Sequence, residues 1–467
     1  MTTHDARQIE TLNSRFDAQK SAVLGNPVPD FDERIRRLAA LRDLVNANRE
    51  AFYESMAADF AVIHPRMVDM MDTGPVLSRV DHIEANLAEW MKPHEVAPGP
   101  AYGSSRAKVI QLPKGVNGNI SPWNFPVESA LVMCTDMLAA GNTVIVKPSE
   151  LAPATAQVLD DAVARHFDPE VLTVVQGGLE LSTAFAAMPW DHLTFTGSPR
   201  VGGIVAQAAA ANLVPTTLEL GGKNPAVFAD DGVTEELIDL FLTFRTLKSG
   251  QVCTSPDHAM VPRDRIEDFV AIAKKTWRAT YPNYVGHPFA TGIINMAHYE
   301  RLLGYLEEAR DRGVRIVELN DEKPDPITRQ IPTTLVIDPP DDLACMNEEI
   351  FGPVIPVVPF DSIDEVISRI NAGPSPLASY LASHDDELAE RFVTTVRSGG
   401  AAINNFGIQG GHNALPFGGF GRSGHGCHSG REGFLGYTHT KSVFYGASDS
   451  FVHQAIKTRP SDLAGDE

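Results

Sequence analysis

The sequence predicts an α/β protein with two doubly wound parallel-sheet domains and a small β-arm that bridges subunits. Between residues 116 and 227, short β-branched runs alternate with helical segments, which is typical of a parallel sheet covered by helices on both faces. A second block of alternating helices and strands follows it. Two α/β layers in succession predict two domains with a cleft between them, and such clefts are common ligand sites.

The elements follow from local patterns along the chain. Residues 32–56 carry apolar side chains at a spacing of three and four behind Pro27-Val28-Pro29, which predicts an amphipathic helix, and a second helix is expected at 81–90. In the first block, strands are expected at 143–146, 171–175, 193–195 and 216–220, with helices at 153–167 and 201–211. In the second block, helices are expected at 235–247, 266–276 and 297–312, with strands near Met260 and Ile316.

The β-arm is predicted from two short segments, 107–112 and 441–445, that are apolar at alternate positions. The first follows the breaker Pro98-Gly99-Pro100 and is expected to leave the main body. Both strands need partners that satisfy the hydrogen bonds of their edges. Arms of this kind often join subunits.

Charge and composition exclude several classes of partner. The chain has 39 basic and 60 acidic residues, a net charge of -21, which opposes binding to nucleic acid or to an anionic membrane surface. No stretch is apolar enough to span a bilayer, and residues 1–10 carry no secretory signal. These features predict a cytoplasmic protein without a membrane anchor.

Cysteine usage draws attention to one residue, Cys253. The chain has only four cysteines and no CxxC pair, so neither a disulfide framework nor a zinc ribbon is expected. The segment 425–428 contains two histidines and a cysteine, but their spacing matches no common zinc pattern, and no metal is predicted. Cys253 lies downstream of a carboxylate, Glu219, that two glycines follow. Together they are candidates for a nucleophile and the base that serves it.

Seven segments occur in an order that resembles the aldehyde dehydrogenase superfamily, closest to its coniferyl-aldehyde dehydrogenase or class 3-like branch. They are Ser121-Pro122-Trp123-Asn124-Phe125-Pro126, Lys147-Pro148-Ser149-Glu150, Phe195-Thr196-Gly197-Ser198, Glu219-Leu220-Gly221-Gly222-Lys223, Gly250-Gln251-Val252-Cys253, Glu349-Ile350-Phe351-Gly352-Pro353 and Pro416-Phe417-Gly418-Gly419. A series of this kind is far more specific than a single motif. It implies oxidation of an aldehyde to a carboxylic acid through a cysteine thiohemiacetal and a thioester.

The resemblance assigns the catalytic roles to three residues. Cys253 would add to the carbonyl carbon, because a thiolate is a strong nucleophile and later a good leaving group. The side-chain amide of Asn124 and the main-chain N–H of Cys253 would stabilise the oxyanion. Glu219 would act as the general base that activates water to hydrolyse the thioester.

The resemblance implies a Rossmann-like domain that binds NAD, and it does not exclude NADP as the cofactor. The turn from Gly197 to Gly202 follows an apolar strand and opens a helix, so its N–H groups can face a pyrophosphate. Pro199 departs from the small polar residue usual in the family, but it is tolerated at a first helical position. A carboxylate at Glu150 would bind the ribose hydroxyls and repel a 2′-phosphate. The expected cofactor residues are Trp123, Lys147, Ser149, Glu150, Gly197, Ser198, Gly202, Leu220, Gly221, Glu349 and Phe351.

A second glycine-rich string, residues 419–424, matches G-x-G-x-x-G in full. It has no surrounding βαβ unit, so we do not interpret it as the dinucleotide loop.

The resemblance also predicts the residues of the aldehyde tunnel. They are Glu128, Val132, Val252, Thr254 and Phe417. If Glu128 faces the tunnel, its charge should disfavour aldehydes that carry a carboxylate and favour hydroxylated or cationic ones. An aromatic or medium-chain aldehyde is the expected substrate.

The domain division follows the same resemblance. We expect an NAD-binding domain at 1–97 and 113–221, a catalytic domain at 222–427, an oligomerisation arm at 98–112 and 428–450, and a C-terminal tail at 451–467. A homodimer is expected. Two alternatives remain: transfer of the acyl group to coenzyme A, against which Glu219 argues, and a non-catalytic binding protein on the same fold.

Overall fold

A computed structural model of the chain describes residues 3–458. The α-helices are α1 (Thr3–Gly25), α2 (Phe31–Ala47), α3 (Arg49–Phe60), α4 (Pro65–Val68), α5 (Gly74–Trp90), α6 (Glu128–Ala139), α7 (Pro153–His166), α8 (Leu179–Ala186), α9 (Pro199–Ala210), α10 (Glu235–Thr246), α11 (Ile266–Thr280), α12 (Met296–Asp311), α13 (Ala344–Asn347), α14 (Ile363–Ala372), α15 (Asp386–Thr395), α16 (Gly430–Gly436) and α17 (Phe451–Lys457). The strands are β1 (His94–Val96), β2 (Arg106–Pro113), β3 (Val116–Ile120), β4 (Thr143–Lys147), β5 (Leu172–Val174), β6 (His192–Gly197), β7 (Thr216–Leu220), β8 (Pro225–Phe228), β9 (His258–Pro262), β10 (Arg315–Glu318), β11 (Thr334–Ile337), β12 (Val354–Phe360), β13 (Ala378–Ala382), β14 (Gly400–Ile403), β15 (Gly424–His425) and β16 (Thr438–Tyr445).

The first block of alternating elements forms a six-stranded sheet in the order β15-β7-β6-β3-β4-β5. All its strand pairs are parallel except that of β15 with β7. One face packs against α2, α5, α6 and α7, and the other against α1, α8 and α9. Because both faces are covered by helices, the sheet is doubly wound, as the strand and helix alternation predicted.

The second block forms a seven-stranded sheet in the order β10-β11-β12-β9-β8-β13-β14. Its strands are parallel except for β10, which pairs antiparallel with β11. Side chains of α10 and α11 cover one face, and those of α14 and α15 cover the other. The predicted α/β architecture with two parallel-sheet units is therefore confirmed.

A separate antiparallel sheet contains β1, β2 and β16. Strand β16 pairs with β2 over eight residues, from Thr438 opposite Pro113 to Tyr445 opposite Arg106. This sheet includes 94–96, which precedes the arm boundary expected at residue 98, and β15 joins the six-stranded sheet although it falls within 222–427. We therefore propose the domain division given above, with β1 added to the arm and β15 added to the NAD-binding domain.

Two local expectations differ from the structure. The helix expected at 32–56 is two helices, because the Asn48 side chain turns back to donate to the Leu44 oxygen at 2.7 Å and ends α2 there. In the expected tail, 451–457 form α17, whereas 459–467 lie outside the described residues. None of the described helices is long and apolar enough to cross a membrane.

Candidate active site

The loop that carries Cys253 begins with an uncommon backbone conformation. Lys248, Ser249 and Gly250 all have positive φ, at 46°, 54° and 78°. A left-handed conformation costs about 1–2 kcal/mol at each non-glycine residue, so the loop must be held by its surroundings. The Ser249 hydroxyl bonds to the Tyr284 hydroxyl at 2.9 Å and donates to the Thr291 oxygen. These contacts fix the chain just before the thiol.

Gln251 connects the loop of the thiol to Asn124. Its side chain donates to the oxygens of Lys248 at 2.9 Å and Gly292 at 3.0 Å, and accepts from the Ile294 N–H at 3.0 Å. Its main-chain oxygen accepts from Nδ2 of Asn124 at 3.1 Å. Because an amide nitrogen carries two hydrogens, the second remains available for an oxyanion beside Cys253.

A buried ion pair lies on the other side of Asn124. Nζ of Lys248 pairs with Asp72, and both side chains are fully buried. The same ammonium donates to the main-chain oxygen of Asn124 at 2.7 Å and lies 4.0 Å from the centre of the Phe125 ring. Asn124 is thus held through both its amide and its main chain.

Three carboxylates act on the Cys253 thiol. Burial raises the pKa of this thiol, and the negative charges of Glu349, Glu128 and Glu219 raise it further. These acids come from three different parts of the chain, and the fold places each of them close enough for its charge to act on the sulfur. The thiol therefore stays protonated in the resting protein, and its proton must leave as the sulfur attacks.

Glu219, on β7, is the carboxylate best suited to take a proton. It is 4% exposed, and within residues 3–458 neither of its oxygens has a hydrogen-bond partner. Burial raises the pKa of its carboxyl well above the ordinary value. A carboxylate with unengaged lone pairs in a dry environment is a strong base.

The turn after β6 has the features that the pyrophosphate of a dinucleotide requires. The Ser198 hydroxyl accepts from the Val201 N–H at 3.4 Å and caps α9, whose first residue is Pro199. A Cβ at Gly202 would lie 2.6 Å from a methyl group of Leu220, so only glycine lets the helix approach the sheet this closely. The N-terminus of this twelve-residue helix offers N–H groups and a positive dipole end to an anion.

The end of β4 supplies groups suited to a ribose. Nζ of the buried Lys147 donates to Glu150 at 2.7 Å, and the Glu150 side chain is half exposed. Burial opposes ionisation of Glu150, but the bond from Lys147 outweighs it and lowers the pKa of this carboxyl. The Ser149 hydroxyl accepts from the Leu151 N–H at 3.2 Å. An ionised Glu150 fits ribose hydroxyls and opposes an added phosphate.

Glu349 is packed directly against Gly221. A Cβ at Gly221 would lie 2.0 Å from an oxygen of Glu349, so the absence of a side chain makes room for this carboxylate. Burial and the nearby Asp257 raise the pKa of Glu349 to about 8. The Phe351 ring meets Trp123 edge to face, with centroids 5.4 Å apart.

The expected tunnel residues include two pairs of neighbouring side chains. Glu128 and Val132 are one turn apart on α6. The Ser129 hydroxyl donates to Glu128 at 2.8 Å, and burial raises the pKa of Glu128 to about 7. A Cβ at Gly410 would meet both Phe417, at 2.9 Å, and Thr254, at 3.3 Å, so these two side chains adjoin. Val252 is buried beside the thiol.

Several supporting residues were not predicted from sequence. Asn224 donates to the main-chain oxygen of Cys253 at 2.7 Å, and Arg245 donates to the oxygen of Gly250 at 3.3 Å. Asp257 accepts from the Ile350 N–H at 2.8 Å and pairs with Lys223, which fixes the segment before Phe351. Lys223 lies within one of the motifs quoted above, but its partner, Asp257, could be identified only from the structure.

The two segments set aside in the sequence have ordinary structural roles. The 419–424 string forms a 3-10 turn and β15 and opens no α-helix. His425 bonds to the Thr216 hydroxyl at 2.8 Å, and the His428 ring packs on Phe417 with centroids 5.1 Å apart.

The fold and the site together define an NAD(P)-dependent oxidoreductase. The family model described as "Aldehyde dehydrogenase family" matches residues 10–443, and the chain belongs to this family: it is an NAD(P)-dependent aldehyde dehydrogenase. A Pseudomonas aeruginosa protein named probable coniferyl aldehyde dehydrogenase is 37% identical over 438 residues, covering 94% of this chain and 91% of that protein.

Two solved structures show the same fold. The substrate-bound state of Staphylococcus aureus AldH has a TM-score of 0.90 at 30% identity and covers 94% of both chains. The Mycobacterium tuberculosis aldehyde dehydrogenase complexed with NAD+ has a TM-score of 0.81 at 27% identity, over 91% of this chain and 88% of that one. The predicted family, enzyme class and nicotinamide cofactor are confirmed.

Proposed function

We propose that the enzyme oxidises an aromatic or medium-chain aldehyde to its carboxylic acid, with Cys253 as nucleophile and Glu219 as the base for hydrolysis. The observation that carries this proposal is the convergence of three carboxylates on one thiol that lies beside the Asn124 amide. Few arrangements other than covalent catalysis call for a thiol among three acids whose pKa values are all raised by burial.

In the first half-reaction, the sulfur of Cys253 bonds to the aldehyde carbon while the thiol proton passes to Glu219. The carbonyl oxygen becomes an oxyanion, which the second hydrogen of Asn124 Nδ2 and the main-chain N–H of Cys253 stabilise. NAD, when bound, supplies the acceptor for the hydride that the adduct loses in becoming a thioester.

Eleven side chains and glycines would hold the cofactor. They are Trp123, Lys147, Ser149, Glu150, Gly197, Ser198, Gly202, Leu220, Gly221, Glu349 and Phe351. The first turn of α9 offers donors for the pyrophosphate, Glu150 fits the adenosine ribose, and Glu349 fits the nicotinamide ribose. An ionised Glu150 favours NAD over NADP.

Before the second half-reaction, Glu219 releases the thiol proton; it then removes a proton from water as the water oxygen bonds to the thioester carbon. The C–S bond then breaks, the sulfur leaves as thiolate and takes that proton from Glu219, and the acid is released. Because Glu219 can serve water in this way, hydrolysis is favoured over transfer to coenzyme A.

The tunnel chemistry is set by Glu128, Val132, Val252, Thr254 and Phe417. Apolar and aromatic side chains suit an aromatic or medium-chain substrate, and one relative of this chain is named probable coniferyl aldehyde dehydrogenase. Glu128 adds one ionisable group close enough to influence the thiol. It favours hydroxylated or cationic aldehydes over aldehyde acids.

The test is rapid mixing of enzyme, NAD and an aromatic aldehyde. We expect NADH and the free acid as products, and no NADH from Cys253→Ala. Cys427→Ala is the matched control, because Cys253 and Cys427 are the half-buried cysteines of the described chain. Turnover retained in Cys253→Ala would refute the nucleophile assignment, and an acid product formed only with added coenzyme A would refute hydrolysis.

We further propose a cytoplasmic homodimer joined through the arm. The sheet of β1, β2 and β16 exposes Val96, Phe444 and Tyr445, which are 41%, 52% and 44% exposed in a single chain. Exposed apolar side chains on a sheet with open edges favour pairing with a second copy. Light scattering at the monomer mass would contradict the proposal.

A further inference from the structure

A polar set of side chains lies on the face of the six-stranded sheet that packs against α6. The strand register pairs Asn117 with His192, Asn119 with Thr194, Thr194 with Thr217, and Thr196 with Glu219. We call this set the polar face: Asn117, Asn119, His192, Thr194, Thr196, Thr217 and Glu219. Central parallel strands are normally apolar on both sides, and the opposite face here is apolar, with Val116, Leu193 and Leu218 in one hydrophobic cluster.

Much of the hydrogen-bonding capacity of the polar face is unused by the described part of the chain. Both carboxylate oxygens of Glu219, the Thr196 hydroxyl, both polar side-chain atoms of Asn117 and Oδ1 of Asn119 are buried without a partner there. Buried polar groups are costly unless they are satisfied, and bridging water is the usual solution. Neighbouring strands are about 4.8 Å apart, a gap that one water molecule can bridge.

Hydrogen bonds of the other residues of the polar face continue from the sheet to Lys114 near the protein surface. The Thr194 hydroxyl bonds to the Tyr437 hydroxyl at 3.1 Å, and His192 bonds to the Thr217 hydroxyl at 2.9 Å. The other ring nitrogen of His192 lies 2.9 Å from Nζ of Lys114, which is only partly buried. Protonatable groups therefore run from Glu219 to a lysine near solvent.

We propose that the polar face is a proton-exit path from Glu219 to Lys114. The proposal rests on the proposed function, in which Glu219 receives the thiol proton and must then act as the base for hydrolysis. The carboxylic acid must return to carboxylate before it can activate water, and the unpartnered carboxyl has no hydrogen-bonded neighbour of its own to receive the proton. Water bridged by the polar face supplies that neighbour.

Each transfer along the path conserves protons. A water or hydroxyl accepts one proton and releases its own to the next group, through Thr196, Thr194 and Thr217. His192 takes the proton on one ring nitrogen and gives the proton of the other to the neutral amine of Lys114, whose ammonium then releases a proton to solvent. Burial and the adjacent Lys114 lower the pKa of His192 to about 3, so the ring stays neutral between transfers.

The pKa values of Lys114 and of the ionisable neighbours of Glu219 favour transfer of the proton to Lys114. Burial lowers the pKa of Lys114 to about 8, so both of its protonation states are accessible near neutral pH. The ionisable groups that respond to the charge of Glu219 are Cys253, Cys427 and Tyr437, and the pKa of each is raised, first by burial. All three therefore hold their protons and do not compete for the proton of Glu219.

The test compares three threonine-to-valine variants of the full-length enzyme. Thr196→Val and Thr194→Val each remove a hydroxyl of the path at nearly constant volume. Thr143→Val is the control, because its hydroxyl is also buried without a partner in the described chain but belongs to β4 opposite Val116, on the apolar side.

The readout is the decay of a cinnamoyl thioester formed from NAD and cinnamaldehyde, followed by its own absorbance. We expect Thr196→Val and Thr194→Val to form the thioester at the wild-type rate and to hydrolyse it at least tenfold more slowly, with an altered solvent isotope effect. Added imidazole should restore hydrolysis, because a small base can replace a lost relay, whereas it cannot repair a misplaced Glu219. Thr143→Val should match the wild type.

Wild-type hydrolysis rates and solvent isotope effects in both path variants would overturn the proposal, and protons would then leave through the substrate tunnel. A loss of hydrolysis that imidazole does not restore would also overturn it. No thioester in the wild-type enzyme would instead refute the proposed function itself, so the two failures are distinguishable.

Discussion

Nζ of Lys248 donates a 2.7 Å hydrogen bond to the main-chain oxygen of Asn124, whose side-chain amide we propose as an oxyanion donor. The same ammonium pairs with Asp72 in full burial. A charge removed from water in this way must keep its partner. The pair therefore links the stability of the fold to the placement of the oxyanion donor.

We expect Lys248→Met alone to lower the free energy of unfolding by about 3–5 kcal/mol, because it leaves the Asp72 carboxylate buried and unpaired. The double variant Asp72→Leu/Lys248→Met should recover much of that loss. Urea unfolding of the single and double variants measures both quantities.

Catalysis should not recover in the double variant. Without Lys248, the main chain of Asn124 loses its donor, and we expect kcat to fall by about tenfold or more, since removing an oxyanion donor outright costs 10²–10³. The affinity for NAD, measured by fluorescence quenching, should stay unchanged. Equal recovery of stability and kcat in the double variant would show that Lys248 only stabilises the fold.

Glu219→Gln separates the two half-reactions. The amide keeps the shape of the side chain but cannot take a proton from water, so we expect thioester hydrolysis to slow by about 10²–10⁴. Because Glu219 also receives the thiol proton, the first equivalent of NADH should form more slowly too, but hydrolysis should slow by more. Quenched-flow counting of NADH and free acid measures the separation, and hydrolysis at the wild-type rate would contradict the assigned role.

The sequence predicted the candidate residues of this site because they occur in local patterns. Cys253, Glu219 and Asn124 each stand within a recognisable motif, and the β-branched runs indicated β4, β6 and β7. The support of these residues was not predictable. Lys248 and Asp72 are 176 positions apart, and each alone resembles an ordinary surface charge.

The polar face illustrates a second limit of prediction. Asn117 and Asn119 fall in a strand whose other residues are apolar or glycine, and a local pattern does not show which strand lies beside it. Only the register of β3, β6 and β7 places these amides on the same face of the sheet as Glu219. Cross-strand neighbours are set by the tertiary fold, so they could not be read from the sequence.

Gly221→Ala tests the packing of the Glu349 carboxylate against Gly221. A new Cβ would lie 2.0 Å from the carboxylate and displace it, so we expect the KM for NAD to rise at least tenfold. Gly203→Ala in α9 is the control, because a Cβ there meets nothing within 4 Å and alanine favours a helix. Initial rates at varied NAD concentration distinguish the two variants. An unchanged KM in Gly221→Ala would show that Glu349 makes no contribution to cofactor binding.

Burial of Glu128 should make stability depend on pH. Its pKa is raised from 4.5 to about 7 in the folded protein, so the folded state binds this proton more tightly than the unfolded chain. The contribution of protonated Glu128 to the free energy of unfolding is complete below pH 4.5 and is lost as pH rises toward 7. At pH 8 the resulting decrease in the free energy of unfolding is at most about 3 kcal/mol, and solvent screening makes it smaller. Glu128→Gln should lack this decline, which urea unfolding at pH 5 and pH 8 would measure.

The same titration should change substrate selectivity. Below pH 7 Glu128 is mostly protonated and neutral, and above pH 7 it is an anion at a position that we propose lines the tunnel. An aldehyde acid is then repelled, whereas a neutral aromatic aldehyde is not. We expect the ratio of kcat/KM for the aldehyde acid to that for the neutral aldehyde to fall by about tenfold between pH 6 and pH 8, which corresponds to about 1.4 kcal/mol of repulsion.

Glu128→Gln and Glu128→Leu provide the controls for this selectivity. Neither side chain titrates, so the ratio of the two kcat/KM values should become independent of pH and stay at the high value found at low pH in the wild type. Because both substrates use the same Cys253 and Glu219, their titration cancels from the ratio. A ratio that falls equally in the wild type and in Glu128→Gln would mean that another group repels the aldehyde acid and that Glu128 does not face the substrate.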